Sequence, residues 1–302
     1  IVSSLAFLVV NVTPGDPVEV IAGGIASEET KNEIRAELGL DKNLSERYLS
    51  YLNDLSEGSL GSSFYTKVPV LESINQYLFD TFELIIMSLI IALLLGFIFG
   101  SLGAYFRGKF PDKISNLILS VIQAVPDFFL GLLLIYFLFF KLQLVPAPVG
   151  RLGLLDLPPE EVTGGLLIDS IIAGNWDTFK IGLKHAILPS ITLGIFYSSY
   201  FGRTTRNVLG NALNSNQVEF AKALGLSKLR VFLYALVDAR TPIITYIAIL
   251  FAGLFGASAI IETVFAWNGI GGWAIDKILM LDIPAIQGFI LFAGLITLFT
   301  YT

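Results

Sequence analysis

Long apolar runs separated by short polar segments dominate this chain. Residues 84–106 contain no charged side chain, and residues 114–140 contain one, Asp127. Residues 186–202, 241–261 and 283–302 contain none. A helix needs about 20 apolar residues to cross about 30 Å of hydrocarbon, and these runs are of that order. They do not alternate every second residue, so they predict helices rather than the strands of a membrane barrel. Residues 1–12 are also apolar, and the chain starts without methionine. They read as the distal end of a truncated first span; a signal peptide is the alternative, but no basic leader or small-residue cleavage pattern is visible. The expectation is six transmembrane helices, with spans at 1–13, 81–106, 114–141, 184–205, 240–262 and 283–302.

The polar segments have their own pattern. Residues 28–38 place acids early and Ile34 and Leu38 four apart, and residues 45–55 put Tyr48, Leu49, Leu52 and Leu55 on one face. Both predict short amphipathic helices. Gly58 to Ser63 predicts a turn. Residues 14–80 are therefore expected to form a small extracytoplasmic cap between spans 1 and 2. Residues 142–183, rich in proline and glycine, are expected to be an irregular external loop. Gly96 and Gly100, and Gly253 and Ala257, stand one helical turn apart, as at close helix contacts or as glycines scattered through membrane helices.

Composition agrees with a membrane protein. Charged residues make up 15% against 54% hydrophobic, with mean hydropathy +0.74, whereas soluble domains carry about 25% charged residues. The absence of cysteine excludes disulfides, thiolate metal sites and a thiol nucleophile. A net charge of −6 argues against nucleic acid as a partner. That charge is unevenly spread. Residues 11–80 sum to −7 and residues 142–180 to −3, while residues 107–113 sum to +2 and residues 203–240 to +4. Basic loops stay in the cytoplasm. This predicts 107–113 and 203–240 inside, the acidic segments outside, both termini cytoplasmic, and a multi-pass protein of the cell (inner, cytoplasmic) membrane.

Three motif-like runs do not carry their usual chemistry. Gly103 to Lys109 fits seven positions of a phosphate-binding loop, but Phe110 stands where Ser or Thr would bind magnesium. Gly269, Gly271 and Gly272 lack the strand–helix–strand unit of a dinucleotide site and read as a turn. Ser258 has only His185 as a candidate base, from another span, so no catalytic residue is assigned. No metal site is expected. Asp127, with Gln123 one turn before it, is the lone deep carboxylate and a candidate for the translocation path, with an interhelix contact as the plainer reading. Ser198 and Ser199 are further path candidates. Glu83 and Glu262 lie at span ends, where interfacial solvation suffices.

The segment 203–240 holds a helix-favouring run from Glu219 to Leu224 that Gly225 ends, then an amphipathic run up to Pro242, which is expected to mark entry to the fifth span. Here the sequence resembles the permeases of binding-protein-dependent ABC importers. Glu219, Ala221 and Gly225 match their Glu-Ala-Ala-x-x-x-Gly loop. Pro14 to Pro17, residues 34–41, residues 81–84, residues 185–190, Arg203 to Arg206, residues 261–265 and Gly269 to Gly271 are similar, in order and spacing, to the first permease of the peptide/nickel uptake group. Phe220, Asn268 and Ser59 depart from the pattern. The resemblance implies a type I importer permease fold and a coupling loop at 206–238 carrying Glu219, Ala221 and Gly225. It further implies a second homologous permease subunit, two ABC ATPase subunits that bind ATP and magnesium, an extracytoplasmic substrate-binding protein, and no cofactor in this chain. Such a permease is not itself an enzyme. The implied cargo is di- or oligopeptide; nickel chelates or oligosaccharides are alternatives within the same type, and an autonomous secondary transporter is a different class.

Overall fold

The computed structural model describes residues 1–12, 15–23, 26–153 and 155–301. Pro14 of the first matched motif, the boundary residue Thr13 and the last predicted span residue, Thr302, lie outside the described residues. The fold is all-α, with one isolated antiparallel bridge, Ser62 to Pro69, among the described residues.

Short helices come first: α1 (Val2–Val12), α2 (Pro17–Ala22), α3 (Glu28–Glu37) and α4 (Leu44–Ser56). Side-chain caps start them as their sequences dictate: Ser27 accepts from the Thr30 amide and Asn43 from the Glu46 amide. The long helix α5 (Val70–Tyr105) follows, then α6 (Phe110–Ala124) and α7 (Asp127–Leu134), which continues as a π-helical turn, Ile135–Lys141. After a loop come α8 (Leu166–Ile172), α9 (Trp176–Ala212), α10 (Asn216–Ala223), α11 (Lys228–Val264), α12 (Ile270–Leu279) and α13 (Ile283–Tyr301).

Among the described residues, four helices are long and apolar enough to span a membrane: α5, α9, α11 and α13. The pair α6 and α7 makes a fifth only if a chain bent by 97° at residues 125 and 126 counts as one span. Pro126 explains the break: it has no amide hydrogen to give, and it pushes Val125 into an extended conformation, φ −95° and ψ 127°. Helix α1 is apolar but has 11 residues, about 16 Å of rise, and it packs along α13.

Several helices run further than the apolar runs alone indicate. Helix α5 begins at Val70, within the segment read as cap, and α9 begins at Trp176, within the segment read as irregular loop, which also contains α8. Pro242 lies inside α11 rather than at its start. A proline inside a helix costs about 3 kcal/mol. The buried face of Val231, Ala235 and Ala239, four residues apart, packs with Leu209, Ala212, Val218 and Ala221 and offsets that cost. The glycines at 269–272 start a helix, α12, rather than forming only a turn.

The most extensive pairing is α5 with α9. Gly96 and Gly100 lie in it: a Cβ on Gly96 would stand 2.8 Å from the Ser198 carbonyl, and one on Gly100 would stand 2.6 Å from the Gly202 carbonyl. Small residues at this spacing let the two backbones touch. Gly256 has open space around it and plays no such part. The larger hydrophobic core lies toward the end of the bundle that carries α2–α4, called the cap end below. A smaller core lies at the α10 end.

Candidate functional site

The sequence-predicted coupling residues sit on α10, a two-turn helix set between α9 and α11. Its ends are fixed locally. Ser215 accepts from the Val218 amide at 3.4 Å. At the other end Gly225 has φ +75°, a conformation that costs a side-chain-bearing residue energy. The Gly225 amide donates to the Lys222 carbonyl at 3.0 Å, and the Leu226 amide donates to the Ala221 carbonyl at 3.2 Å. That paired arrangement satisfies carbonyls a helix end otherwise leaves open. Ala221 and Val218 are buried against α9 and α11. Glu219 is exposed. So are Phe220 (66%) and Leu224 (63%), one turn apart on the outer face. Leu229, Leu233 and Val237 on α11 add to the exposed apolar area at this end.

The path candidates are dispersed. The bend between α6 and α7 puts Gln123 and Asp127 on different helices, both half-buried. Asp127 heads α7 and accepts from the Phe128 amide at 2.7 Å. It lies within electrostatic range of Tyr197, whose hydroxyl donates to the Gly253 carbonyl at 2.8 Å. Tyr197 in turn packs on Phe196 and Tyr200. Ser198 and Ser199 are fully buried in α9, and their hydroxyls donate to the carbonyls of Ile195 and Phe196. No hydrogen bond among the described residues joins these four candidates.

At the cap end, one turn of α5 holds a polar clasp that the apolar pattern did not reveal. Asp80 pairs with Arg151 from the loop after α7, and its carbonyl accepts from the Trp267 indole at 2.8 Å. The Thr81 hydroxyl donates to Glu262 of α11 at 2.6 Å and accepts from the Ile270 amide at 2.9 Å. The other Glu262 oxygen accepts from the Gly272 amide at 2.8 Å. Glu83 accepts from the Leu167 and Ile168 amides, 2.8 and 3.1 Å, where α8 begins. Such amides carry partial positive charge and suit a carboxylate. Glu83 (7% exposed) and Glu262 (1%) are thus buried, not solvated at span ends as their positions suggested. Donors that arrive from distant segments replace the water. The signal available was proximity: Glu262 lies just before Gly269 to Gly272, whose small residues permit the approach. A Cβ on Gly271 would meet the Ala259 backbone at 2.5 Å.

The loop that leads to α8 has a further carboxylate. Asp169 accepts from the Thr163 hydroxyl and from the amides of Val162, Thr163 and Gly164, at 2.7–3.1 Å. Burial pushes its carboxyl up, but these hydrogen bonds outweigh that and hold it below the usual range.

Long apolar helices, a helix pair joined through glycine backbones and a paucity of surface charge define a polytopic α-helical membrane protein. The family described as the binding-protein-dependent transport system inner membrane component matches residues 92–302, and its N-terminal companion matches residues 1–85. The chain belongs to that family. It is 36% identical to the probable D,D-dipeptide transport system permease protein DdpB of Escherichia coli K12, over 94% of this chain and 84% of that one. It is 35% identical to the di/tripeptide transport system permease protein DppB of Pseudomonas aeruginosa UCBPP-PA14, over 99% and 90%. It is 32% identical to the glutathione transport system permease protein GsiC of E. coli O6:H1, over 98% and 87%. Members of this family are membrane permease components; ATP hydrolysis resides in separate partner subunits.

Proposed function

We propose that this chain is one of two permease subunits of an ATP-driven importer for short peptides. The relatives that carry dipeptide, di/tripeptide and glutathione names support that cargo. In this reading the α10 end faces the cytoplasm, as the net +4 of residues 203–240 favours, and both termini lie inside. The acidic cap faces outward and receives the binding protein. Two ATPase subunits, which bind ATP and magnesium, dock on α10 and on its counterpart in the second permease.

The observation that carries the reading is the outer face of α10. A helix held rigid by caps at both ends and by Ala221 underneath presents Phe220, Leu224 and Glu219 outward, which suits insertion into a partner's groove. Rigidity matters because a coupling element must transmit displacement rather than absorb it. Gln123 and Asp127, near the bend and the Tyr197 aromatic group, are the path residues we favour. Ser198 and Ser199 act beside them through the close α5–α9 contact.

Phe220→Asp tests the docking face without touching the fold. The substitution lies on an exposed face and is expected to change the stability of the permease by less than about 0.5 kcal/mol. Co-purified ATPase and ATP-driven peptide uptake are expected to fall at least tenfold. Gly225→Val adds strain at φ +75°, roughly 1 kcal/mol, and should uncouple ATP hydrolysis from uptake. Normal assembly and normal uptake in both variants would remove α10 from the coupling role.

A further inference from the structure

At the cap end lies a cavity of about 690 Å³ between the start of α5, the loop before α8, and α12. Pockets that hold small ligands run from about 300 to 1,000 Å³, so a di- or tripeptide fits. Its charged groups divide into spent and unspent. Asp169 and Glu262 line it, but their oxygens are committed to the loop amides and to Thr81 and Gly272. Arg151 is only partly committed. Among the described residues its one hydrogen bond, from Nη1, goes to Asp80, and a guanidinium has five donors in a planar fork. Glu161 and Asp276, also on the wall, are exposed, and their carboxylates make no hydrogen bond or ion pair among the described residues. The rings of Tyr77 and Trp273 stack, with centroids 6.2 Å apart and planes at 27°, and both line the cavity.

We infer that this cavity binds a short peptide by its two free termini, with Arg151 taking the carboxylate and Glu161 and Asp276 taking the ammonium. The inference rests on the peptide-importer reading above and gives that reading a substrate chemistry within this chain. A zwitterion offers its carboxylate to the free donors of Arg151 and its ammonium to the acids, which are in the majority on the walls: Asp80, Glu161, Asp169, Glu262 and Asp276. The aromatic pair accepts side chains through their apolar surface, which tolerates differences among them. The hydrogen-bonded carboxylates hold the walls in place and add negative charge that favours the ammonium end. The cavity therefore reads the ends of the peptide and not its sequence.

The test uses the assembled importer in lipid nanodiscs without its binding protein. Calorimetric titration with L-alanyl-L-alanine, its N-acetyl derivative and its C-terminal amide gives the affinities. The free dipeptide is expected to bind, and each blocked form to bind about tenfold or more weakly, the scale of one lost charge-assisted hydrogen bond. Arg151→Lys keeps the charge beside Asp80 but lacks the fork. It is expected to weaken alanyl-alanine about tenfold while leaving the amide unchanged. Glu161→Gln with Asp276→Asn should do the converse, erasing the penalty for acetylation. Equal binding of free and blocked peptides, or no binding to a complex that imports alanyl-alanine once the binding protein is added, overturns the inference and leaves the importer reading intact. Failure of that complex to import any short peptide overturns both.

Discussion

The two halves of α5 hold their neighbours by different physics. Toward the cap end, Asp80, Thr81 and Glu83 reach Arg151, Glu262, Ile270 and α8 through directed hydrogen bonds. Toward the α10 end, Gly96 and Gly100 meet α9 through bare backbone contact. The first half fixes which partners meet and at what register, because each buried donor must find its acceptor. The glycine contact itself fixes only distance of approach, since van der Waals contact has no preferred direction. Specificity sits with the clasp, and closeness sits with the glycines.

Glu262→Ala should give the largest effect. It strands the Thr81 hydroxyl and the Gly272 amide in a dry site and leaves a void. Each unsatisfied buried polar group costs about 1–3 kcal/mol, so a loss of roughly 3 kcal/mol or more is expected. Thermal unfolding of the purified permease would show it, and a change under about 1 kcal/mol would mean that water replaces the carboxylate there.

Gly100→Ala tests the other half. Its Cβ would meet the Gly202 carbonyl at 2.6 Å, so the helices must separate, at a cost of about 1–3 kcal/mol. Gly256→Ala sharpens the point. A Cβ there would meet nothing within 4 Å. The same added methyl should therefore cost much less at Gly256. Equal melting temperatures for the two variants would break the assignment of backbone contact to Gly100.

The smallest effect concerns pH. The carboxyl of Asp169 lies below its ordinary value in the folded state, so the unfolded state binds the proton more readily. Its contribution is present in full above the ordinary aspartate pKa of about 3.9 and is lost as pH falls through the lower folded value. Asp169→Asn should remove this acid-dependent component, read as a flatter stability curve below about pH 4. If wild type and variant lose stability in parallel there, Asp169 does not cap the loop in the way described.

The contrast also shows what was legible from residues alone. Four of the apolar runs fall in the long helices α5, α9, α11 and α13, and α3 and α4 followed from periodicity. The C-terminal end of α10 followed from Gly225. All of these are properties of a few consecutive residues. The length of α11 through Pro242 was not legible, because burial of Val231, Ala235 and Ala239 outweighs a local helix breaker. The bend at Pro126 was not read either, although proline supplied its cause. Of the site residues, the place of Glu219, Ala221 and Gly225 on one short capped helix was visible. The separation of Gln123 from Asp127, and the inward turn of Ser198 and Ser199, were not.

The sequence by itself determined that this is a helical membrane protein, which segments are acidic or basic, and which family its motifs resemble. Apolarity, charge and capping act over one or two turns, so they are written in neighbouring residues. Only the tertiary structure decided that Glu83 and Glu262 are dry, that α5 pairs with α9 through glycine, and that Arg151, Glu161 and Asp276 share a cavity. Those facts depend on which distant amides, carbonyls and side chains arrive at the same place. Whether a carboxylate is solvated or clasped is decided by its neighbours in space and not by its neighbours in the chain.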